Sequence, residues 1–560
     1  MIDVLIIGSG IAGLTAAINA SNNNSNVVVL SKTYPTHSQS VQAQGGINAV
    51  LYEDNDSVDI HIEDTYKASA KLSNKDNIKI MCENAKETIF WLDSIGVPFN
   101  RTIDNKISQR KFGGTRKIRT CYSSDYTGLK ILHTLYDRCI KQNIEFRNEH
   151  LLLNLIIEND ICIGVTALDI KKGIVKEFLA KTTIIATGGY AGIYTNHTTN
   201  SYANTADGIS IAFNAGVILS NMEFVQFHPT SLENSNILIS ESARGEGGYL
   251  LDEFENRFID ELKPRDEVAR AIYEKIEKNQ KVYLDLRHLG IDKIKELMPQ
   301  ERRLAYDYSN IKIEEQLLPI SPASHYSMGG IKTDINARTN IRNLFACGEC
   351  AEASIHGANR LGGNSLLEIV TFGKIAGINA SNDGKNIGEL NTSTNYAKED
   401  EENINKIYNY SNKINFSDIK YTGGTAQTKG EQSVWMTPEQ IGLKNVYSAA
   451  DLEGLEHFHR LVDDGSFPGD GGRPDDGGPD VAVVPCSGVV HIDPVADVRG
   501  DHGEEGGEFC SVLGVGDAAH EVEVGVDGFG ELFPVEVDVL GAAEKFQQFG
   551  EVGEGEAFGA

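Results

Sequence analysis

The 560-residue chain is short of several features that mark particular classes of protein. Eight cysteines are too few for a dense disulfide framework, which favours a reducing compartment. No apolar run approaches the ~18 residues of a membrane-spanning helix, and the strand at residues 3–7 leaves no room for a signal peptide. Basic residues are not in excess either, because the net charge is −29. We therefore expect a cytoplasmic globular protein that does not bind nucleic acid.

The C-terminal part lacks other residue types. Residues 451–560 contain no Asn, Thr or Tyr, and their 26 acidic and 4 basic residues give a net charge of −22, against −7 for residues 1–450. Many Gly and Asp residues and few large apolar ones predict disorder, and only residues 521–540 alternate like a strand. We interpret residues 386–432 as a remnant of a helical domain and residues 433–560 as an unassigned acidic, Gly-rich tail. A genuine acidic tail and a fused or misassembled gene both fit this composition.

A glycine-rich turn follows the first strand. Residues 3–7 form an apolar strand, Gly8, Gly10 and Gly13 have GxGxxG spacing, and a helix is predicted from residue 14. This order of elements favours a dinucleotide, whose pyrophosphate such a turn binds, over an ordinary strand-to-helix turn. The second strand, residues 26–30, ends in Ser31-Lys32 instead of the acid that binds an NAD ribose. A plain NAD site is therefore disfavoured.

A second glycine-rich turn, RLGGNS at residues 360–365, follows a predicted buried strand at 344–347 and precedes an apolar helix. Bare backbone N–H groups at a helix N-terminus bind anions, and Arg360 adds a permanent cation. The turn therefore suits a cofactor and a substrate carboxylate, although a loop with a surface arginine has the same pattern. Cys347 and Cys350 have CxxC spacing, but no second pair follows, so a thiol redox or zinc site is disfavoured.

Eight motifs occur together in one order over about residues 1–385. They resemble the flavoprotein subunit of the succinate dehydrogenase/fumarate reductase family. L-Aspartate oxidase shares the fold and several of the motifs and is an alternative, as is an inactive FAD-binding fusion product. Residues 435–455 faintly resemble the N-terminal part of methylmalonyl-CoA mutase. The motifs are GSGIAG (8–13), AQGGI (43–47), RTCYSSDYTG (119–128), FVQFHPT (224–230), ESARGEGGYL (241–250), PRDEVAR (264–270), HYSMGG (325–330) and HGANRLGGNSLLE (356–368).

The resemblance implies an α/β fold with a two-part Rossmann-like FAD-binding domain, residues 1–222 and 331–385, and an inserted α+β capping domain, residues 223–330. It implies interconversion of succinate and fumarate by hydride transfer at FAD, with no metal in this chain. It also implies an iron–sulfur partner subunit and a membrane-anchor subunit, which would place the chain peripherally on the inner face of the cytoplasmic membrane.

The resemblance also assigns roles to residues. Arg265 would exchange a proton with the substrate, and Glu241 and Arg244 would relay that proton. His228, Ser240, His325 and Arg360 would hold the two carboxylates, and Phe112 is a weaker candidate for packing on the substrate. The expected FAD contacts are Gly8, Gly10, Gly13, Ser31, Lys32, Ala43, Gln44, Gly45, Gly46, Asp207, Glu349, Asn364, Ser365 and Leu366.

Gln39 occupies the place where many family members attach the flavin through a histidine, four residues before Ala43. A carboxamide is not nucleophilic enough to form that bond, so non-covalent FAD and a bias toward fumarate reduction are expected. His37 lies two residues away, and in an extended loop it would share a face with Gln39.

Overall fold

The computed structural model describes residues 1–52, 55–388, 394–398 and 400–403, together with the backbone of strands at 446–447, 508–513 and 521–526. The predictions for residues 386–432 and 433–560 lie almost entirely outside the described residues. Among the helices that are described, none is both long and apolar enough to cross a bilayer.

Ten helices and twenty strands are described. The helices are α1 Ile11–Asn22, α2 Val58–Ala68, α3 Lys75–Ser94, α4 Thr127–Lys141, α5 Asp207–Asn214, α6 Glu241–Gly245, α7 Arg265–Ile276, α8 Ile291–Leu297, α9 Pro299–Ser309 and α10 Asn364–Gly384. The strands are β1 Ile2–Ile7, β2 Val27–Ser31, β3 Ile47–Asn48, β4 Gln109–Arg110, β5 Thr120–Cys121, β6 Glu145–Asn148, β7 His150–Glu158, β8 Ile161–Asp169, β9 Ile174–Ile185, β10 Leu219–Ser220, β11 Val225–Leu232, β12 Tyr249–Asp252, β13 Val282–Asp285, β14 Leu318–Ser327, β15 Gly330–Lys332, β16 Leu344–Ala346, β17 Ala351–Glu352, β18 Val446–Tyr447, β19 Glu508–Leu513 and β20 Glu521–Val526.

The largest sheet has the order β6-β2-β1-β9-β8-β7, and β16 also pairs with β9. The pairs β6–β2, β2–β1, β1–β9 and β9–β16 are parallel, whereas β7, β8 and β9 pair antiparallel. A parallel sheet covered by helices buries both faces of its strands, which explains the uninterrupted apolar run of β1. The predicted strand, glycine turn and helix at the N-terminus are therefore confirmed.

Two glycines let this sheet bring its helices close to the strand ends. A Cβ on Gly13 would lie 2.0 Å from the carbonyl oxygen of Gly8, so only glycine lets α1 pack against the turn. Gly363 has a φ of 84° at the N-terminus of α10, in the left-handed region that favours glycine. The predicted strand at 344–347 and the helix after the second turn are confirmed as β16 and α10.

A second sheet, with the antiparallel order β11-β14-β13-β12, belongs to the region where the sequence predicts an inserted domain. It has its own hydrophobic core, whose fully buried residues all come from residues 232–320. The mixed α/β class is confirmed. The boundaries at residues 223 and 330 stay a prediction, because residues 1–397 form one compact unit.

Residues 398–442 and 450–560 form a second unit. Within it, β19 and β20 pair antiparallel over six residues each. The strand pattern predicted from residue 521 is therefore confirmed for its first part.

Candidate active site

A cavity lies between the carboxyl ends of the parallel strands and the second sheet. The loop at residues 37–46, the N-termini of α1 and α10 and the start of α5 line one side, while β11, α7 and β14 line the other. Most of the predicted site residues lie on its wall. They are Gly8, Gly10, Ser31, Lys32, Ala43, Gln44, Gly45, Gly46, Asp207, Glu349, Ser365 and Leu366 on the first side, with Phe112, His228, Ser240, Glu241, Arg265, His325 and Arg360 around the rest.

Three predicted site residues do not line the cavity. Gly13 lies behind the first turn, where it allows close packing. The side chain of Asn364 is fully buried and is occupied by Asn48, His61 and Thr65, so it positions the second turn from behind. Arg244 is also fully buried and donates to the Glu261 carbonyl oxygen at 2.7 Å.

The wall around the two turns fits FAD. The N-cap residues of α1 and α10 are the glycines Gly10 and Gly363, and both helix N-termini line one cavity. The Ile11 N–H donates to Ser40 Oγ at 3.3 Å and the Asn364 N–H to the Leu361 carbonyl oxygen at 3.2 Å, so the later N–H groups of the two first turns are the ones available to an anion. Ser31, where an NAD site has an acid, forms a 2.5 Å hydroxyl contact with Ser9. Lys32 extends over the strand end and forms a 2.6 Å ion pair with Asp207.

Glu349 adds a carboxyl group to this wall. Its Oε1 accepts hydrogen bonds from the backbone N–H and the hydroxyl of Ser327, each at 3.0 Å. Burial raises the pKa of Glu349 to about 7, because the donated hydrogen bonds offset only part of the cost of desolvation. A hydroxyl-bearing ligand such as a ribose suits this carboxyl, since a hydroxyl can donate to it.

The loop that carries Gln39 is compact, so the alternation of an extended loop does not relate His37 to Gln39. Two short 3₁₀ turns, Pro35–His37 and Gln39–Gln42, compact it, because Pro35 starts the first turn and backbone bonds close both. Both His37 and Gln39 nevertheless line the cavity. The Gln39 carboxamide accepts from the Ser201 N–H at 2.9 Å and donates to Gln42 at 3.1 Å.

Arg265 and Glu241 form a buried pair at the cavity wall. Arg265 Nε and Nη2 lie 2.7 and 2.6 Å from Glu241 Oε2, and Gly113 N–H donates to Oε1 at 2.7 Å. Burial alone would raise the pKa of Glu241, but Arg265, Arg244 and these hydrogen bonds outweigh it and lower the pKa. A surface Arg265–Asp266 pair, the alternative interpretation, is excluded, since Arg265 is only 7% exposed.

Arg360 is a buried cation with no carboxylate contact among the described residues. It is 3% exposed, and within the described part of the chain its only hydrogen bond runs from Nη1 to the Leu361 carbonyl oxygen at 3.3 Å and its Nε has no partner. Its guanidinium lies 4.4 Å from the centre of the Tyr326 ring. Burial, with Arg265 nearby, lowers the pKa of Arg360 to about 10, which leaves it charged at neutral pH.

Two histidines and a serine complete the polar wall. The rings of His228 and His325 are 4.9 Å apart, and Thr199 Oγ1 lies 2.8 Å from His325 Nδ1. Burial, together with Arg265, lowers the pKa of both histidines well below the usual value, so both are neutral at pH 7. Ser240 is buried at the N-terminus of α6. A dicarboxylate would find a buried cation and neutral hydrogen-bonding groups here.

The sequence analysis missed Gln226 and Tyr326. Gln226 Oε1 accepts from Arg265 Nη1 at 3.1 Å, and its Nε2 donates to Asn359 and to the Arg360 carbonyl oxygen, each at 2.7 Å. Gln226 therefore connects the two arginines. Its position two residues before His228 was an available signal, because alternate residues of a strand share a face.

Burial disfavours a redox or metal role for the CxxC pair. Both thiols are buried, and burial raises their pKa values, to about 11 for Cys350. Cys350 Sγ lies 3.3 Å from the Ile185 carbonyl oxygen. Across the described residues, no cluster of His, Cys, Asp or Glu could hold a metal ion.

Comparison with known proteins agrees with this geometry. The family model described as "FAD binding domain" matches residues 3–366. The 8-methylmenaquinol:fumarate reductase flavoprotein subunit of Wolinella succinogenes is 42% identical over 407 residues, which cover 69% of this chain and 66% of that protein. The succinate dehydrogenase flavoprotein subunit of Rickettsia bellii is 38% identical, covering 68% of this chain and 69% of that protein.

A solved structure has the same fold. A variant of FrdA from Escherichia coli quinol fumarate reductase superposes with a TM-score of 0.69 at 35% identity, covering 72% of this chain and 74% of that one. The chain spans just under two thirds of the Wolinella protein. It belongs to the family of FAD-binding oxidoreductases formed by the flavoprotein subunits of fumarate reductases and succinate dehydrogenases.

Proposed function

We propose that this chain interconverts fumarate and succinate, with a bias toward fumarate reduction. The observation that carries the proposal is Arg360, a buried cation without a carboxylate partner among the described residues, in a cavity that Arg265 also lines. An isolated buried charge is costly, so an anionic ligand offsets that cost. A second anionic group of the same ligand can accept hydrogen bonds from other polar residues of the cavity wall.

Arg360 and Ser240 bind and orient the dicarboxylate together with His228 and His325. Carboxylates need donors, so the productive tautomer of His325 carries its hydrogen on Nε2, and its Nδ1 atom accepts from the Thr199 hydroxyl at 2.8 Å. His228 Nδ1 lies 2.9 Å from the Thr230 carbonyl oxygen, which can only accept, so the neutral His228 ring carries its hydrogen on Nδ1. His228 therefore donates to a carboxylate from Nε2 only when it takes up a proton with the ligand, which leaves Arg360 as the main electrostatic anchor.

Bound FAD supplies or accepts two electrons and one hydrogen at one carbon of the substrate. Arg265 delivers or removes the proton at the other carbon. Three of its five N–H groups contact Glu241 and Gln226, so one hydrogen on Nη1 and one on Nη2 remain for the cavity. Free arginine is a poor acid, with a pKa above about 12. Solvent supplies the replacement proton, which Glu241, in direct contact, passes to Arg265, so that the pair returns to its neutral starting state.

The FAD is held without a covalent bond in this proposal. Gln39 has no nucleophilic atom, and both ends of its carboxamide already have protein partners. Acid precipitation of the purified protein tests this point. Yellow flavin in the supernatant is expected. Flavin that stays in the pellet and maps by mass spectrometry to the peptide with His37 would contradict it.

The proposal includes an iron–sulfur subunit and a membrane-anchor subunit as partners, which would hold the chain at the inner face of the cytoplasmic membrane. The names of the Wolinella and E. coli relatives, as a subunit and as part of a quinol fumarate reductase, support this arrangement. Co-purification of an iron–sulfur protein from the source organism is the expected result. Its absence from an active preparation would contradict this part of the proposal.

One assay tests the activity itself. FAD-loaded protein is supplied with a chemically reduced dye and fumarate, and in parallel arms with an oxidised dye and succinate or L-aspartate. Fumarate reduction faster than succinate oxidation is expected, without aspartate turnover. Aspartate turnover would identify an L-aspartate oxidase instead, and FAD binding without turnover in any arm would identify an inactive flavoprotein.

A further inference from the structure

Two buried carboxyl groups that the proposed reaction does not use lie behind Ser240. Asp125 precedes α4 and Glu301 lies in α9, and both are at most 1% exposed. Asp125 Oδ2 accepts from the backbone N–H groups of Gln300 at 2.6 Å and Glu301 at 2.9 Å. Asp125 Oδ1 and Glu301 Oε2 have no hydrogen-bond partner among the described residues, and the two carboxyl groups are close enough for Asp125 to raise the pKa of Glu301. Two carboxylates in contact cannot both be ionised at low cost, so they share a proton.

A chain of hydroxyl groups leads from this pair to the cavity. Glu301 Oε1 lies 2.7 Å from Ser242 Oγ, which lies 2.9 Å from Ser240 Oγ. Ser240 Oγ also accepts from the Ser242 N–H at 3.1 Å and lines the cavity. Ser242 has a single hydroxyl hydrogen and two oxygen neighbours, so it can donate to only one of them.

Counting the hydrogens shared by these four side chains gives two arrangements of their hydrogen bonds. The contacts Asp125–Glu301, Glu301–Ser242 and Ser242–Ser240 need three hydrogens, and the serines supply two of them. With one carboxyl proton, Glu301 donates to Asp125, Ser242 donates to Glu301, and the Ser240 hydrogen turns inward to Ser242. With a second carboxyl proton, each of these hydrogen bonds reverses its direction. Asp125 then donates to Glu301, Glu301 to Ser242 and Ser242 to Ser240, so the Ser240 hydrogen points into the cavity.

We propose that Asp125 and Glu301 are positioning residues that act through Ser242 to set the direction of the Ser240 hydroxyl, and with it the affinity for the dicarboxylate. The inference rests on the proposed function, because it takes Ser240 as a donor to a substrate carboxylate. Only the outward hydrogen can be donated to that carboxylate. Substrate binding is therefore coupled to uptake of a proton by the carboxyl pair.

Charged and titratable groups around the pair set when it takes up that proton. Arg110 favours the ionised pair, but desolvation of Glu301 opposes ionisation more strongly and raises the pKa of Glu301 well above its usual value. The other groups that interact with the pair or with Arg110 are Tyr122, Tyr126 and Glu246. Lowering the pH supplies the second proton and turns the Ser240 hydrogen outward, so it should tighten dicarboxylate binding.

Two single variants should shift affinity in opposite directions. In Glu301→Gln the amide donates to Asp125 and accepts from Ser242, which fixes the inward arrangement at every pH. We expect KM for fumarate to rise, by about tenfold at the acidic end, as for one lost hydrogen bond to a carboxylate. In Ser242→Ala the Ser240 hydroxyl loses its competing partner, so KM should fall severalfold at neutral pH. The effect on kcat should be small in both variants.

The double variant separates a route through Ser242 from direct electrostatics. If Glu301 acts through Ser242, then Glu301→Gln has no further effect in the Ser242→Ala background, and both KM and its pH dependence match those of Ser242→Ala alone. Asp307→Asn, an exposed carboxyl on the same helix, is the matched control and should leave KM unchanged. Equal increases of KM in both single variants, or a Glu301→Gln effect that persists in the double variant, would overturn the proposal.

Binding of malonate, followed by the flavin absorbance of the FAD-loaded protein, gives the same comparison without turnover. Malonate has two carboxylates but no CH₂–CH₂ bond to oxidise. Wild-type protein that neither binds malonate nor reduces fumarate would sink the proposed function and this inference together. Wild-type activity with unchanged affinity in Glu301→Gln and Ser242→Ala would sink the inference alone.

Discussion

Two buried arginines line the cavity, but they have different surroundings. Arg265 is paired with Glu241 and bonded to Gln226, whereas Arg360 has one weak contact to a carbonyl oxygen and an aromatic ring beneath it. A paired guanidinium has its charge balanced and is suited to exchanging protons with its partner. An unpaired buried guanidinium is suited to binding an anion. The two residues are of the same type, so their surroundings decide which arginine suits proton transfer and which suits binding of a carboxylate.

The largest effect is expected from Arg265→Ala. Without the guanidinium the substrate has no proton donor, so kcat should fall at least about a thousandfold. Flavin binding and malonate affinity should change only severalfold, because Arg360 still anchors the ligand. Stopped-flow and steady-state kinetics measure the first quantity, and absorbance titration measures the second. Arg270→Ala, an exposed arginine on the same helix, is the control; near-normal turnover in Arg265→Ala would remove the proton role.

Arg360→Ala should act on binding instead. Loss of the cation leaves a buried substrate carboxylate unpaired, which costs about 3 kcal/mol or more and raises KM more than about a hundredfold. The variant protein itself should not lose stability, since an uncompensated buried charge is removed. Thermal unfolding and fumarate kinetics give both numbers, with the exposed Arg303→Ala as the control. A drop in kcat at unchanged KM would mean that the two arginines had been assigned the wrong way round.

Gln226→Met tests whether the hydrogen bonds of Gln226 couple Arg265 to Arg360. The variant keeps the side-chain length but loses the bonds to Arg265 and to the carbonyl of Arg360, so kcat should fall and KM should rise, each by about tenfold. Gln280→Met, a partly exposed glutamine outside the cavity lining, is the control. If only kcat or only KM changes, Gln226 supports only one of the two arginines and does not couple them.

The smallest effect concerns FAD and follows from the pKa of Glu349, which burial raises to about 7. A carboxylate accepts a ligand hydroxyl better than a carboxylic acid does, so FAD affinity should fall as the pH drops below about 7. Glu349→Gln should remove this pH dependence and weaken FAD about fivefold at pH 8. Fluorescence titration of the apoprotein with FAD between pH 5.5 and 8.5 measures both. An unchanged pH profile in Glu349→Gln would show that another group titrates.

Local signals were enough for the elements that form the cavity. The GxGxxG spacing after an apolar strand, and the RLGGNS turn before an apolar helix, each depend on neighbouring residues, and both were confirmed as strand, turn and helix. The motif order was also sufficient for the family, which the comparisons confirm. The site roles stay predictions, although the structure brings most of the named side chains to one cavity.

Long-range contacts could not be deduced in the same way. Two 3₁₀ turns shape the loop at Gln39, and the sequence analysis identified only a loop there. Asn364 was expected at the ligand, but residues about 300 positions earlier in the chain occupy its side chain. Such contacts depend on how separate elements pack, and no local pattern of residues encodes that packing.

The sequence by itself determined the strand–turn–helix units, the family and the identities of the polar residues, because each follows from short-range chemistry. Only the tertiary structure decided that Glu241 pairs with Arg265 and leaves Arg360 unpaired, that Gln226 joins them, and that Asp125 and Glu301 meet behind Ser240. The physical reason is that charge pairing and desolvation depend on distances between residues far apart in the chain. Those distances are fixed only when the second sheet packs over the ends of the first.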